Sequence, residues 1–238
     1  MTKRSLIITA AAPLLGCAPL HPPAPVPYEA LPEFNQIVLD VCEEYPTDGT
    51  HGYFWPRGEE PYYDGCTSDV NFLGERVMRG EPQGRTYCCG FTAEVFVEAY
   101  SRWLERHGEE HTRITPENFR RFLRLWFVLE RNGPGPSAAL EEFDLGYEIP
   151  NDEWEETVLP GDFCAMWRTE QDSGKISGHS IIFLRWIYGW DGEIAGIEYI
   201  SSQPSTDGIG RRREYFGSNG GMSRNYTWFG HAEPERAL

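Results

Sequence analysis

The fold is decided by residues 163–203, which read FCAMWRTEQDSGKISGHSIIFLRWIYGWDGEIAGIEYISSQ. Three apolar segments in it, rich in Ile, Phe, Trp and Tyr, predict strands at 163–167, 179–188 and 193–201. Only residues 189–192, which contain an Asp-Gly turn signal, separate the last two segments, so these should pair as an antiparallel hairpin. The stretch therefore predicts an antiparallel sheet.

Upstream of this stretch the apolar spacing is helical. Apolar residues recur every three or four positions at 34–41, from 88 to 104 with Gly108 as the stop, at 119–129 and at 137–145. We also expect a short helix at 70–79, and edge strands at 215–216 and 226–229. Helices first and strands later predict an α+β domain, with N-terminal helices packed on a central antiparallel sheet.

The composition excludes several classes of protein. The chain has 238 residues, of which 40% are hydrophobic and 14% aromatic, and this is too apolar for a disordered protein. No apolar run approaches the ~20 residues of a membrane-spanning helix. The net charge of -16 argues against nucleic acid as a partner, because a phosphate backbone requires a surface rich in Lys and Arg.

Residues 1–16, MTKRSLIITAAAPLLG, have the features of a signal peptide for export. Lys3 and Arg4 precede a short apolar stretch, and residues 14–17, LLGC, resemble the lipobox of bacterial lipoproteins. The resemblance implies lipidation of Cys17. Because Ala18 follows and not Asp, it also implies an outer-membrane lipoprotein that faces the periplasm or the cell surface. The alternative is an ordinary secretory signal with a chance cysteine.

Residues 17–32, CAPLHPPAPVPYEALP, predict a proline-rich tether. Proline favours an extended, semi-rigid chain, so we expect a spacer between the lipid and a folded domain at 33–238. Contact with the membrane would then be made through the lipid anchor only.

The other cysteines bear on the chemistry. If the lipobox cysteine is lipidated, five remain, and cysteines of an exported protein tend to pair. An odd number leaves one thiol free. We predict the disulfides Cys42–Cys66 and Cys89–Cys164, with Cys88 free. The sequence has no C-x-x-C pair and no His at zinc-ligand spacing, so neither a structural zinc nor another cofactor is expected.

Cys88 is the candidate nucleophile. It lies in the first turn of a predicted helix, where the positive end of the helix dipole stabilises a thiolate. His179 opens a predicted strand and could exchange protons with that thiol. The alternatives are a buried or disulfide-bonded cysteine pair and a structural histidine.

Three short motifs, in this order, resemble those of the NlpC-type cell-wall peptidases. Residues 88–92, CCGFT, are similar to the Cys-Ser-Gly-Phe-Val signature of that family. Residues 159–163, LPGDF, resemble its Pro-Gly-Asp turn and strand, and residues 178–183, GHSIIF, resemble its Gly-His-Val-Gly-Ile-Tyr strand. The CHAP amidases have the same order. The chain departs from the pattern at Tyr87, where Asp is common, at Cys89, where Ser is usual, and in the long interval at 109–158.

The resemblance implies a papain-like fold. Cys88 would be the nucleophile at a helix N-terminus, and His179 would lie on the antiparallel sheet. A third polar residue on the next strand would orient the imidazole. We expect Gln203 in this role, because its carbonyl oxygen can accept a hydrogen bond from the ring N–H, and Ser201 and Ser202 are the alternatives.

The expected function is that of a lipid-anchored cysteine peptidase or amidase of the cell envelope. It would cleave an amide bond, with peptidoglycan stem peptides as the implied substrate and another peptide or amide as the alternative. Two other functions stay open. One is a binding or scaffolding lipoprotein that has lost turnover, with Cys88 bonded to Cys89. The other is an acyl or peptidyl transferase that uses Cys88 and His179.

Three further features have less specific interpretations. The acidic runs at 141–142 and 152–156 could serve glycoside hydrolysis, but such runs are usually solvated surfaces. Residues 211–213, RRR, are interpreted as a charge cluster in a loop, with a carboxylate or phosphate site as the alternative. The aromatic residues at 53, 55, 62 and 63 are assigned to the core in preference to a ligand groove.

Overall fold

The computed structural model describes residues 24–56, 62–128, 133–169, 176–217 and 221–237. The predicted signal peptide and the lipobox cysteine lie outside these ranges, as do residues 17–23 of the predicted tether. Within the described part, residues 28–30 form a 3-10 turn, and the Tyr28 hydroxyl donates to Asp40 at 2.7 Å. Leu31 is buried. The last residues of the tether therefore contact the folded domain.

The helices confirm the periodicity of the N-terminal half. The described residues contain five: α1 Glu33–Glu43, α2 Cys88–His107, α3 Phe119–Trp126, α4 Pro136–Glu142 and α5 Trp154–Thr157. Thirteen of the twenty residues of α2 are buried, so this helix lies at the centre of the domain and packs against α1. It ends at Gly108, which has φ +113° and whose N–H donates to the Leu104 carbonyl at 2.7 Å.

A six-stranded antiparallel sheet forms the other layer. Its strands are β3 Gly146–Ile149, β4 Phe163–Thr169, β5 Ile176–Tyr188, β6 Ile194–Gln203, β7 Gly208–Tyr215 and β8 Met222–Ala232. They lie in the order β3-β8-β4-β5-β6-β7. The predicted hairpin is present as β5 and β6, which are antiparallel. The α+β class with helices and a large antiparallel sheet is confirmed.

The prediction of a helix at 70–79 is wrong. These residues form a separate hairpin, with β1 at Val70–Phe72 and β2 at Glu75–Met78. The two residues between the strands, Leu73 and Gly74, both have positive φ, at +49° and +80°. Positive φ at both central positions is the geometry of a two-residue hairpin turn, and Gly74 was the signal for it.

The predictions for the C-terminal strands need two corrections. The predicted edge at 226–229 needs correction at Phe229, which is paired with β3 on one side and with β4 on the other, whereas Thr227 and Trp228 are paired with β4 alone. The arginines at 211–213 are not in a loop, because they belong to β7, the edge strand next to β6. Strand order depends on contacts between segments far apart in the chain, and local apolar patterns carry no information about it.

Two clusters of buried side chains cover the two faces of the sheet. Phe163 belongs to the cluster that includes α1, α2 and α3, whereas Cys164 belongs to the cluster around Trp154 and Phe229. These consecutive residues of β4 point to opposite faces, as successive residues of a strand must.

Neither predicted disulfide is formed. The five cysteines in the described part are free thiols. The pairing of Cys89 with Cys164 is prevented by the alternation along β4, because Cys164 points to the sheet face opposite the one on which α2 packs. Cys42 and Cys66 are buried in the same cluster and are also unbonded.

The Pro-Gly-Asp turn joins three distant segments. The Asp162 carboxylate accepts hydrogen bonds from Asn35 of α1 at 2.9 Å, from the Leu159 N–H at 2.8 Å and from His231 of β8 at 2.8 Å. Gly161 has φ +96°, and a Cβ there would lie 2.9 Å from the Asn35 carbonyl oxygen. The turn therefore needs glycine, and it fixes the start of β4 against α1.

Candidate active site

Cys88 is the first residue of α2, as the sequence predicts. The first N–H groups of a helix have no intrahelical acceptor, and they form the positive end of its dipole. The thiol therefore lies beside unsatisfied N–H donors. Cys88 is buried, but it still contributes to the walls of two cavities.

Close backbone packing determines where α2 begins. Tyr87 is extended, and its N–H donates to the Gly65 carbonyl at 3.2 Å. A Cβ on Gly90 would lie 2.1 Å from the Asp64 carbonyl oxygen, so only glycine lets the first turn of α2 approach that loop. Thr86 donates to the Ser202 hydroxyl of β6 at 2.7 Å. These contacts fix the helix start against the sheet.

His179 of β5 is held by Gln203, the last residue of β6. The ring Nε2 is 2.9 Å from the Gln203 Oε1. The Gln203 amide Nε2 donates to the Thr206 hydroxyl at 3.1 Å, and that hydroxyl donates to the Gly208 carbonyl at 2.7 Å. This chain of donors leaves the amide oxygen to face the imidazole. The imidazole Nε2 therefore carries the hydrogen, and Nδ1 is left as the basic nitrogen.

The alternatives for the third position are engaged elsewhere. The Ser201 hydroxyl donates to the Ser180 carbonyl at 2.6 Å, and the Ser202 hydroxyl accepts from Thr86. Neither shares a hydrogen bond with His179 in the part of the chain that the structure describes. Gln203 is thus the residue of the three that contacts the ring.

The surroundings of Cys88 lower the pKa of its thiol well below the ordinary value. A hydrogen bond with Cys89, whose Sγ is 3.8 Å away, stabilises the thiolate and outweighs burial. The charge and hydrogen bond of His179 and the backbone N–H of Ser180 lower the pKa further. The same Cys88–Cys89 hydrogen bond, together with burial, raises the pKa of Cys89.

The pKa values of the other three buried thiols are shifted upward. Burial raises the pKa of Cys42, Cys66 and Cys164. Of the five cysteines that the structure describes, Cys88 alone has a lowered pKa. This difference singles it out as the reactive thiol.

A second set of hydrogen bonds fixes α2 to β5 next to the site. The Thr92 and Ser180 hydroxyls are 2.8 Å apart, and the Trp126 indole N–H donates to the Thr92 hydroxyl at 3.1 Å. Thr92 is one helical turn beyond Cys88, and Ser180 follows His179. The link therefore fixes the separation of the two candidate catalytic residues.

Two cavities meet at Cys88 and His179. We call one the apolar cavity; it has a volume of about 240 Å³ and its wall is mostly aromatic and aliphatic. We call the other the polar cavity; it has a volume of about 350 Å³ and includes Gln203, Arg168 and Arg212. Among the described residues, no Asp or Glu lines either cavity. The acidic side chains of the described part of the chain thus lie outside the walls of both cavities.

The four aromatic residues of the 53–63 segment have different environments. Trp55 lines both cavities, is 50% exposed and contacts the Tyr87 ring edge to face at 4.7 Å. Tyr53 lines the polar cavity, and burial, followed by the nearby thiols, raises its pKa to about 12. Tyr63 is buried and Tyr62 is exposed. The assignment to the core is therefore confirmed for Tyr63 and wrong for Tyr53, Trp55 and Tyr62.

Sequence reasoning missed several residues of the site. No local sequence signal pointed to a functional role for four of them. These are Trp126 and Trp167 in the apolar cavity and Arg168 and Thr206 around the polar cavity. The helical spacing of Trp126 indicates only that it is buried. The site receives these side chains because α3, β4 and the β6–β7 connection converge there.

Comparison of the chain with models of protein families, with curated proteins and with solved structures finds no match. No described helix combines the length and apolarity needed to cross a membrane. The described residues also contain no cluster of three or more His, Cys, Asp or Glu side chains arranged to hold a metal ion.

Proposed function

We propose that this protein is a cysteine hydrolase that cleaves an amide bond, with Cys88 as nucleophile, His179 as general acid and base, and Gln203 as the residue that orients the imidazole. One observation carries the proposal. The thiol with the lowered pKa lies at a helix N-terminus, beside an imidazole whose other nitrogen is hydrogen-bonded to Gln203 at 2.9 Å.

The first step acylates the thiol. The Cys88 thiolate attacks the amide carbonyl carbon, and a C–S bond forms. N–H groups at the start of α2, including that of Cys88, donate to the developing oxyanion. The C–N bond then breaks, and the amine leaves with a proton from the His179 imidazolium.

The second step releases the acyl group. His179 takes a proton from water, and the hydroxide equivalent attacks the thioester carbonyl. The C–S bond breaks, the carboxylic acid is released and the Cys88–His179 pair is restored. Gln203 keeps the ring in one orientation through both proton transfers, and the hydroxyl of Thr206 holds the amide of Gln203.

The order of elements supports a papain-like fold. Four features follow one another in the chain. They are a cysteine at the start of a central helix, a Pro-Gly-Asp turn, a strand that carries the histidine, and a hydrogen-bond acceptor for that histidine at the end of the next strand. These are the features on which the resemblance to NlpC-type and CHAP enzymes rests. Peptidoglycan stem peptides are the substrate that this resemblance implies, and cavities whose described walls contain no Asp or Glu suit a peptide that carries carboxylates.

The binding-protein alternative required a bond between Cys88 and Cys89. Their sulfur atoms are 3.8 Å apart, whereas a disulfide requires about 2.05 Å. A free Cys88 thiol of lowered pKa favours turnover. A transferase would use the same acyl-enzyme with an amine in place of water, and product analysis in the presence of added amines distinguishes the two.

The lipid anchor is part of the proposal and rests on residues 14–17. Cys17→Ser is expected to release the protein from the membrane or to leave the precursor unprocessed. Mass spectrometry of the mature wild-type protein should show fatty acyl groups on the N-terminal cysteine. A mature protein without them contradicts the predicted outer-membrane location.

The activity is tested on purified peptidoglycan. We expect the wild-type protein to release new amino and carboxyl termini, and Cys88→Ala to release none. His179→Ala should lower the rate by roughly 100-fold or more, the usual contribution of general acid–base catalysis. Cys164→Ala removes a thiol on the other face of the sheet and serves as the matched control. Equal release by the wild type and Cys88→Ala would refute the proposal for this substrate.

A further inference from the structure

The two cavities share the residues at which the chemistry is proposed. Both cavities are lined by Cys88, Gly178 and His179, and Trp55 also contributes to both. A substrate whose carbonyl carbon reaches the thiol therefore extends in two directions. The walls of the two cavities differ in chemistry, so the two halves of the substrate must differ as well.

The apolar cavity offers no charged partner. Beyond the shared residues, its described wall includes Trp126, Phe127, Val128, Ala165 and Trp167. Burying a charged or strongly polar group there would remove its water without replacing its hydrogen bonds. A large aliphatic or aromatic group would instead gain from the loss of its hydration.

The polar cavity contains a guanidinium that makes no direct ion pair with any described residue. Arg168 is paired with Glu214, whose carboxylate also accepts from the Tyr199 hydroxyl at 2.9 Å. Arg212 donates to the Ser205 hydroxyl at 3.0 Å, and the described residues give it no ion pair.

The neighbours of Arg212 on β7 differ from it. Arg211 is paired with Glu43, and Arg213 is paired with Glu198 at 2.6 Å. Arg212 lies opposite Tyr199 in the pairing of β6 with β7, and the Tyr199 ring contacts the His179 ring edge to face at 5.7 Å. In a chain with a net charge of -16, a row of residues therefore leads from the imidazole to a guanidinium that has no direct ion pair among the described residues.

The positions of the two cavities relative to Cys88 and His179 indicate which half of the substrate each cavity binds. Cys89 and Ser180 line only the apolar cavity, which therefore lies on the nucleophile side. Gln203 and Arg212 line only the polar cavity, which lies on the imidazole side. The acyl half stays on the thiol, whereas the amine half takes its proton from the imidazole and leaves.

We infer that the substrate is an amide that joins a large apolar acyl half to an amine half carrying a carboxylate, as in an N-acylated or peptidyl amino acid. The inference rests on the proposed function and specifies its substrate class. The acyl group binds among Trp126, Phe127 and Trp167. The carboxylate binds the Arg212 guanidinium, whose planar fork matches it.

The test uses four small substrates that vary each half separately. They are N-acetyl-leucyl-glycine, N-acetyl-asparaginyl-glycine and the C-terminal amide of each, because Leu and Asn have nearly the same shape. Release of glycine or glycinamide gives kcat/KM. We expect the leucyl acid to be cleaved fastest. Loss of the carboxylate should lower kcat/KM by roughly 10- to 100-fold, as expected for one charged hydrogen-bond partner.

Matched variants connect each preference to one cavity. Arg212→Gln should lower cleavage of the leucyl acid by roughly 10- to 100-fold and leave its amide unchanged, whereas Arg213→Gln should alter neither. Trp167→Ala should reduce the preference for Leu over Asn. Trp190→Ala removes a fully exposed indole in the β5–β6 turn, so this control should leave the preference for Leu over Asn unchanged.

The possible failures of the two proposals are distinguishable. Equal cleavage of all four substrates, or an equal effect of Arg212→Gln on acid and amide, overturns this inference and leaves the hydrolase intact. If none is cleaved, the acid should still protect Cys88 from iodoacetamide better than the amide does, and equal protection overturns the inference. Alkylation of Cys88 that does not change in His179→Ala contradicts the proposed function itself.

Discussion

Replacing His179 by alanine should make the Cys88 thiol less acidic. The imidazole lowers the pKa of Cys88 through its charge and its hydrogen bond, after the larger contribution of Cys89. A nearby opposite charge favours the ionised form of a thiol, so its removal disfavours the thiolate. We therefore expect the pKa of Cys88 to rise in the variant.

The rise has two opposing effects on alkylation. Below both pKa values, each unit by which the pKa rises lowers the thiolate fraction about tenfold. The more basic thiolate is intrinsically more nucleophilic, by about 2.5-fold per unit for a Brønsted coefficient of about 0.4. The alkylation rate should therefore fall roughly fourfold per unit at low pH and rise about 2.5-fold per unit at high pH, so the two profiles cross.

The assay follows iodoacetamide alkylation of Cys88 by peptide mass from about pH 4 to about pH 10, a range that spans the known pKa values of activated and ordinary thiols. His107→Ala is the matched control, because His107 is paired with Glu33 at the far end of α2. Gln203→Ala should give a smaller change, since it only loosens the ring. Superimposable profiles for the wild type and His179→Ala would refute the pairing of Cys88 with His179.

Three further predictions concern residues around the site. Cys89→Ala should raise the pKa of Cys88, because it removes the hydrogen bond that stabilises the thiolate, and the alkylation profile should shift to higher pH. Burial lowers the pKa of His231, but the hydrogen bond and charge of Asp162 outweigh it and raise the pKa above 6.5. The folded state then holds the proton more tightly, so the contribution of His231 to the free energy of unfolding should be fully present below about pH 6.5 and be lost as the pH rises through the folded pKa. Gly90→Ala should lower the free energy of unfolding in urea by about 3 kcal/mol or more, because its Cβ would lie 2.1 Å from a backbone oxygen.

Each of these predictions has a control variant. Cys89→Ser keeps a donor beside Cys88, so it should restore much of the low-pH reactivity that Cys89→Ala loses. Asp162→Asn should flatten the decrease in stability attributed to His231, and an unchanged slope would contradict that assignment. At Gly52 a Cβ would meet nothing closer than 3.7 Å, so Gly52→Ala should leave the free energy of unfolding within about 1 kcal/mol of the wild type. An equal loss in both glycine variants would contradict the steric argument.

Local sequence patterns were sufficient to predict most of the helices and strands and the order of the motifs. The helical spacing after Cys88 and the stop at Gly108 were sufficient to predict α2, because helix hydrogen bonds and one apolar face are local properties. The Asp-Gly turn between two apolar runs predicted the β5–β6 hairpin for the same reason. The position of Gln203 at the end of β6 followed from that hairpin together with the family resemblance.

The way in which these elements pack together could not be predicted from local patterns and is visible only in the folded structure. The interior position of β8 and the free state of Cys164 depend on pairings between distant strands. Arg211, Arg212 and Arg213 are the same residue type, and the neighbours that the fold supplies give direct ion pairs to Arg211 and Arg213 but, among the described residues, none to Arg212. Side chains that converge from α2, α3 and β4 to β7 form the two cavities. A property that arises from contacts between remote segments leaves no periodic signal in any one of them.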